Sequence, residues 1–181
     1  MGVLMLVALL CACAQPPAAP RHAAFIATEP LPEPGEREVV VVINANSFAG
    51  SHAGLFAGRL LYDPSGTYAG SRAGEVPGWP GPSLTDYVAF HLRDGPDVRL
   101  YRFGLAPGEF ADIQARIGRA GWTLPMFCAR DVQDVLAGIG PFRDLPAGRW
   151  ISPLNLGNHL AALAPPRPMA GDCGRPEARP C

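Results

Sequence analysis

Lysine is absent from this sequence. All 15 basic residues of the 181-residue chain are arginine, they form no cluster, and against 16 acidic residues the formal net charge is -1. A chain without a basic patch has little with which to neutralise a phosphate backbone, which argues against nucleic acid as a partner. Long apolar runs are missing too. The longest, MGVLMLVALLCACA at the N-terminus, is shorter than the roughly 20 residues that a membrane-spanning helix needs. No Gly-x-Ser-x-Gly elbow and no phosphate-binding loop occur, so serine hydrolase and nucleotide chemistry have no local support. No closely spaced set of His, Cys and Asp supplies the three or four convergent ligands of a zinc site, and neither a metal nor another cofactor is expected.

What remains is one domain's worth of chain, 48% hydrophobic, with 21 prolines and 21 glycines concentrated at the two ends and in one internal segment. The short apolar start followed by small residues has the layout of an export signal. Leu10-Cys11-Ala12-Cys13 also resembles the lipobox of bacterial lipoprotein signals, which implies a signal over residues 1–13 and a lipid-bearing Cys13. The positively charged segment that usually opens such signals is missing. A buried N-terminal helix is the competing reading, but the Pro/Ala tract behind it offers nothing to pack on. Residues 14–37, rich in Pro, Ala and Glu, read as a tether, and the Pro-rich residues 164–181 as an irregular tail. The folded domain is therefore placed at 38–163. Among five cysteines, Cys173 and Cys181 of the tail are able to pair in an oxidising compartment, which leaves Cys128 as the odd one.

Within the domain, Glu38 to Asn44 is a continuous β-branched run and predicts a strand buried on both faces. His52–Ala57 and Arg59–Tyr62 flank Gly58 as a hairpin or one bent strand, and Asp63-Pro64-Ser65-Gly66 closes them as a turn. Residues 64–82 hold too many Gly and Pro for regular structure and read as a long loop, a wall or lid beside His52 or a plain connection. Ser83 caps a helix that Asp94-Gly95-Pro96 breaks, with Asp86 close to completing a capping box. Asp97–Phe103 alternates as a strand with one solvated face. Helices follow over Pro107–Arg119, with Phe110, Ile113 and Ile117 on one side, over Cys128–Ala137, and over about Leu154–Leu163. The order predicts an α+β fold: a small antiparallel sheet covered by helices on one side.

Cys128 falls at the first turn of its predicted helix, where unpaired backbone N–H groups and the helix dipole favour a thiolate and could donate to an oxyanion. Its register with Val132, Val135 and Ile139 suits a core position equally well. His52, on a strand beside the small residues Ala53 and Gly54, is the candidate base; the small neighbours leave room for a helix terminus. Asp63 would then orient the imidazole, as in any nucleophile–base–orienter set, or else be only a turn residue. His22, His91 and His159 sit in less suitable places.

SHAGLFAGRLLYDPSG with His52 and MFCARDVQDVLAGIG with Cys128 resemble the circularly permuted branch of the NlpC-type papain-like cysteine hydrolases, the branch of the lecithin retinol acyltransferase relatives, in which His precedes Cys. The trailing LPAGRWISPLNLGNHLAAL is similar to the segment that covers the site in such proteins. Phe127 stands where many relatives carry Asn. The resemblance, over residues 38–163, implies a permuted papain-like α+β fold and thiol hydrolase or acyltransferase chemistry at an amide, peptide or thioester. With a lipid anchor in a bacterial envelope membrane facing the periplasm, it points to peptidoglycan peptide as a substrate class, with a lipid or thioester acyl group as another. A non-catalytic envelope lipoprotein that keeps the fold as a binding or structural module is the rival expectation.

Overall fold

The computed structural model describes residues 30–163. Cys13, Cys173 and Cys181, and with them the expected signal, lipid site and tail disulfide, lie outside the described residues. Four strands, β1 (Glu38–Asn44), β2 (His52–Ala57), β3 (Leu60–Tyr62) and β4 (Val98–Gly104), form one antiparallel sheet in the order β3-β2-β1-β4. β1 is central because its run of Val and Ile has apolar side chains on both sides. Val39, Val41 and Ile43 face one way with Ala53, Leu55, Ala57 and Phe103, and Val40 and Val42 face the other way with Phe56. A two-residue turn with Gly58 at a φ of 59° joins β2 to β3.

Helices cover both faces of this sheet, not one. α3 (Pro107–Arg119), α4 (Cys128–Leu136) and α5 (Pro153–Leu163) bury Phe110, Ile113, Ile117, Val132, Leu136, Leu156 and Leu160 against the Val39–Val41–Ile43 side. The other side is covered by α1 (Thr67–Glu75) and α2 (Leu84–His91) through Tyr68, Leu84, Tyr87 and Val88. The physical reason lies in β1: a fully apolar strand leaves no face that water can take. β4 is half-covered on both faces rather than solvated on one, and its Arg102 and Arg99 pair with Glu38 at 2.8 Å and Asp97 at 2.7 Å. No helix among the described residues is long and apolar enough to cross a membrane.

The glycine-rich stretch after Gly66 is helical as α1, where an irregular loop is predicted. Tertiary contacts outweigh its low helix propensity. Tyr68 is fully buried, and its hydroxyl donates to Asp86 Oδ2 at 2.8 Å. Arg72 and the Trp79 indole also donate to the Asp86 carboxylate. Ser83 caps α2, accepting from Asp86 N at 3.1 Å, but the Asp86 side chain serves α1 instead of closing a capping box. The last eight residues assigned to the tether also belong to the domain. Leu31 N donates to Thr85 Oγ1 at 2.8 Å, Glu33 accepts from Leu84 N at 3.1 Å, and Arg102 donates to the Pro32 carbonyl.

Candidate active site

β3 pairs with β2 only from Leu55 to Ala57, so the first residues of β2 lie beyond it at an open corner of the sheet. His52 opens β2 there, in register with Asn44 of β1. Asp63 follows the last residue of β3, and the hairpin brings it back beside His52. His52 Nε2 and Asp63 Oδ1 are 2.6 Å apart, with both side chains about nine-tenths buried. The second carboxylate oxygen accepts from Tyr68 N, the start of α1, at 3.3 Å. Asp63 is thus fixed by a strand end on one side and a helix start on the other.

Cys128 is the first residue of α4, which packs against β2. A short 3-10 turn, Pro125–Phe127, delivers it, with Phe127 N donating to Leu124 O at 2.9 Å. The thiol lies close enough to the His52 ring to favour its protonated form. The structure therefore brings all three predicted residues, Cys128, His52 and Asp63, to one corner. Burial alone would lower the proton affinity of His52; the Asp63 carboxylate and then Cys128 outweigh it and raise the pKa to about 9. Burial pulls Asp63 upward, and the His52 hydrogen bond and charge more than reverse that, holding its carboxyl below the usual range.

A second histidine completes the corner. His91, in the last turn of α2, stacks on His52 with ring centroids 4.9 Å apart and planes 16° apart. Burial and then the charge of His52 lower its pKa to about 4. Its Nδ1 lies 3.4 Å from Asn44 Nδ2, which fits a neutral ring accepting from the amide. Asn44 also donates to Asp94 Oδ2 at 2.7 Å and accepts from Asn46 Nδ2 at 2.8 Å. Gly54, expected to admit a helix terminus, admits Tyr87 instead. A Cβ there would overlap the tyrosine hydroxyl oxygen and lie 2.7 Å from ring carbon Cζ. That hydroxyl is buried with no hydrogen bond of good geometry among the described residues, and burial and then the nearby Asp63 carboxylate push its pKa well above the ordinary value. Ala53 points to the opposite face, into the same cluster as Cys128 and Ala129.

His91, Asn44 and Tyr87 were not among the residues that sequence reasoning selects. A signal for His91 was present, because Leu84, Tyr87, Val88 and His91 follow the i, i+3, i+4, i+7 spacing of one helix face, and all four are buried. The segment from Gly121 to Phe127 runs along the outside of the corner. Trp122 Nε1 donates to Ser65 O at 2.6 Å and Thr123 N to Pro64 O at 2.8 Å. Trp122, Leu124 and Met126 are nevertheless exposed, an apolar rim beside a thiol that is itself only 1% exposed. Among the described residues no group of three or more His, Cys, Asp or Glu side chains could hold a metal ion. Comparison of the chain with protein-family models, with curated proteins and with solved structures finds no match in any of the three.

Proposed function

We propose that this protein is a cysteine hydrolase or acyltransferase acting on an amide, peptide or thioester carbonyl, with Cys128 as nucleophile, His52 as base and acid, and Asp63 as orienter. The observation that carries the reading is the position of His52, held at Nε2 by Asp63 at 2.6 Å and near enough to Cys128 for the thiol to raise its pKa. The sulfur, deprotonated opposite the His52 imidazolium that Asp63 stabilises, attacks the carbonyl carbon. The imidazolium protonates the leaving group as the tetrahedral intermediate collapses to a thioester. Water or a second acceptor, deprotonated by His52, then releases the acyl group. The ion pair with Asp63 stabilises the imidazolium, and the start of α4 carries backbone N–H groups suited to an oxyanion.

The order His, Asp, Cys on strand, strand end and helix start agrees with the permuted papain-like arrangement that the sequence resembles. The proposal extends to an envelope protein tethered through a lipid on Cys13, for which peptidoglycan peptide is the natural substrate class. The test is acyl transfer from a generic thioester, read by turnover and by intact-protein mass. A thioester adduct is expected on the wild-type protein and none on Cys128→Ala, with turnover lost in Cys128→Ala and Cys128→Ser. Unchanged turnover in either variant sinks the proposal. Palmitate labelling that disappears with Cys13→Ser checks the anchor.

One observation favours a second reading, a non-catalytic module that keeps the fold: the 1% exposure of Cys128. An inert core thiol resists iodoacetamide at pH 7, whereas one paired with an imidazolium reacts within minutes. Slow labelling together with no acyl adduct would decide for the module.

A further inference from the structure

Away from the sheet corner, a cleft of about 470 Å³ lies between α4, the connection before α5, and α5 itself. Gln133 of α4 reaches it from below. This side chain is fully buried; its Nε2 donates to Arg149 O at 3.4 Å, and its Oε1 has no hydrogen-bond partner among the described residues. A buried acceptor left unmatched is costly, so its retention calls for an explanation. With no exposure to the cleft as the side chain stands, Oε1 meets a ligand O–H or N–H once the amide turns toward it.

The rest of the lining narrows the ligand. Asn155, Asn158 and His159, at i, i+3 and i+4 of α5, present two amides and an imidazole from one helix face. Arg149 adds one cation, and among the described residues no Asp or Glu lines the cleft. Trp150 forms a wall. It is 58% exposed, yet its Nε1 donates to Met126 O at 3.1 Å, which ties down the indole and leaves its apolar surface open. One cation among amides does not suit a polyanion. A peptide would be recognised by a free strand edge or by deep apolar pockets, and this cleft is built from helix faces and polar side chains.

We propose that the cleft is a saccharide-binding site. A sugar hydroxyl both donates and accepts, so one ring can donate to Gln133 Oε1 and accept from Asn155, Asn158 and Arg149. Its C–H face packs on the Trp150 indole, the usual economy of a few polar groups beside an aromatic surface. The site stands apart from the thiol chemistry. Gln133 is five residues along α4 from Cys128, about 7–8 Å of helix rise, and Trp150 is bonded to Met126, two residues before Cys128.

The test titrates the full chain with N,N′-diacetylchitobiose, with cellobiose and with an acetylated tripeptide amide, by calorimetry and ligand-observed NMR. Saturable binding of at least one disaccharide is expected, weakened tenfold or more by Trp150→Ala and several-fold by Asn158→Ala. Both replaced residues are exposed, so unchanged circular dichroism and melting are expected of the variants. Cys128→Ala should bind as the wild type does, which separates failure of this site from failure of the thiol chemistry. Absence of binding by both disaccharides, binding that survives Trp150→Ala, loss of binding in Cys128→Ala, or displacement by the tripeptide overturns the assignment.

Discussion

His52 and His91 lie face to face, 4.9 Å between centroids, with opposite protonation behaviour: one is raised to about 9 and the other lowered to about 4. Two stacked imidazolium rings would repel each other in a site that excludes water, so the proton goes to the ring with the carboxylate partner. NMR titration of the histidine ring protons should find the two midpoints well apart on either side of the ordinary value of 6.5. In His52→Phe, which removes the charge but keeps an aromatic ring, the His91 midpoint should rise from about 4. It should stay below 6.5, because burial is the larger cause. An unmoved His91 midpoint would show that the stack carries no electrostatic coupling.

Asp63→Asn keeps the shape of the orienter and removes its charge. Burial then opposes His52 protonation with only Cys128 left to resist it, and the His52 midpoint should fall from about 9. Turnover in the acyl-transfer assay should drop roughly 10²–10⁴-fold, as expected when an imidazole loses the anion that stabilises its charged form. A large rate loss with an unmoved His52 midpoint would contradict the role given to Asp63.

Local chemistry explains how much of this was legible. The Ser83 cap, the Pro107 start and the 110/113/117 spacing act within a helical turn or two, and those helices stand where the residues place them. The meeting of His52 with Asp63 was also readable, since Gly58 at positive φ turns the hairpin and fixes the return distance. The run Val39–Ile43 already required cover on both faces, and assigning helices to one face left half of that strand unaccounted for. α1 was not readable, because Tyr68 and Arg72 order it through Asp86 from a distant part of the chain. The arrival of Cys128 at the corner depends on how α4 packs on β2, which spacing alone does not encode. Gly54 signals room for a neighbour, but its occupant, Tyr87, comes from the opposite layer.

Gly54→Ala is expected to be costly despite its size. The new methyl overlaps the Tyr87 hydroxyl and crowds Cζ, and neither the strand nor the buried ring has space to yield. Overpacking of this kind costs about 1–3 kcal/mol, read as a lower urea midpoint. Tyr87→Phe alone should change stability little, since its buried hydroxyl lies beside the Asp63 carboxylate but makes no hydrogen bond of good geometry among the described residues. The double variant should recover only part of the Gly54→Ala loss, because Cζ remains 2.7 Å from the added carbon. Full recovery would mean that the hydroxyl is the whole obstacle.

The same two histidines set the pH dependence of stability, in opposite senses on either side of 6.5. His52 is raised in the folded state to about 9, so its contribution is complete below 6.5 and is lost as pH climbs from 6.5 through 9. His91 is lowered to about 4, so its contribution is complete above 6.5 and is lost as pH falls from 6.5 through 4. Each limb involves one proton, with a limiting slope of about 1.4 kcal/mol per pH unit. Asp63, held low, adds a further loss only when the pH falls below its ordinary value of 3.8. Urea midpoints measured from pH 4 to pH 9 should therefore peak near pH 6.5. His91→Phe should flatten the acid limb and leave the alkaline one, whereas Asp63→Asn should flatten the alkaline limb. A profile that stays level from pH 6.5 to pH 9 in the wild type would mean that His52 is not held protonated at the corner, and the ion pair with Asp63 would lose its energetic basis.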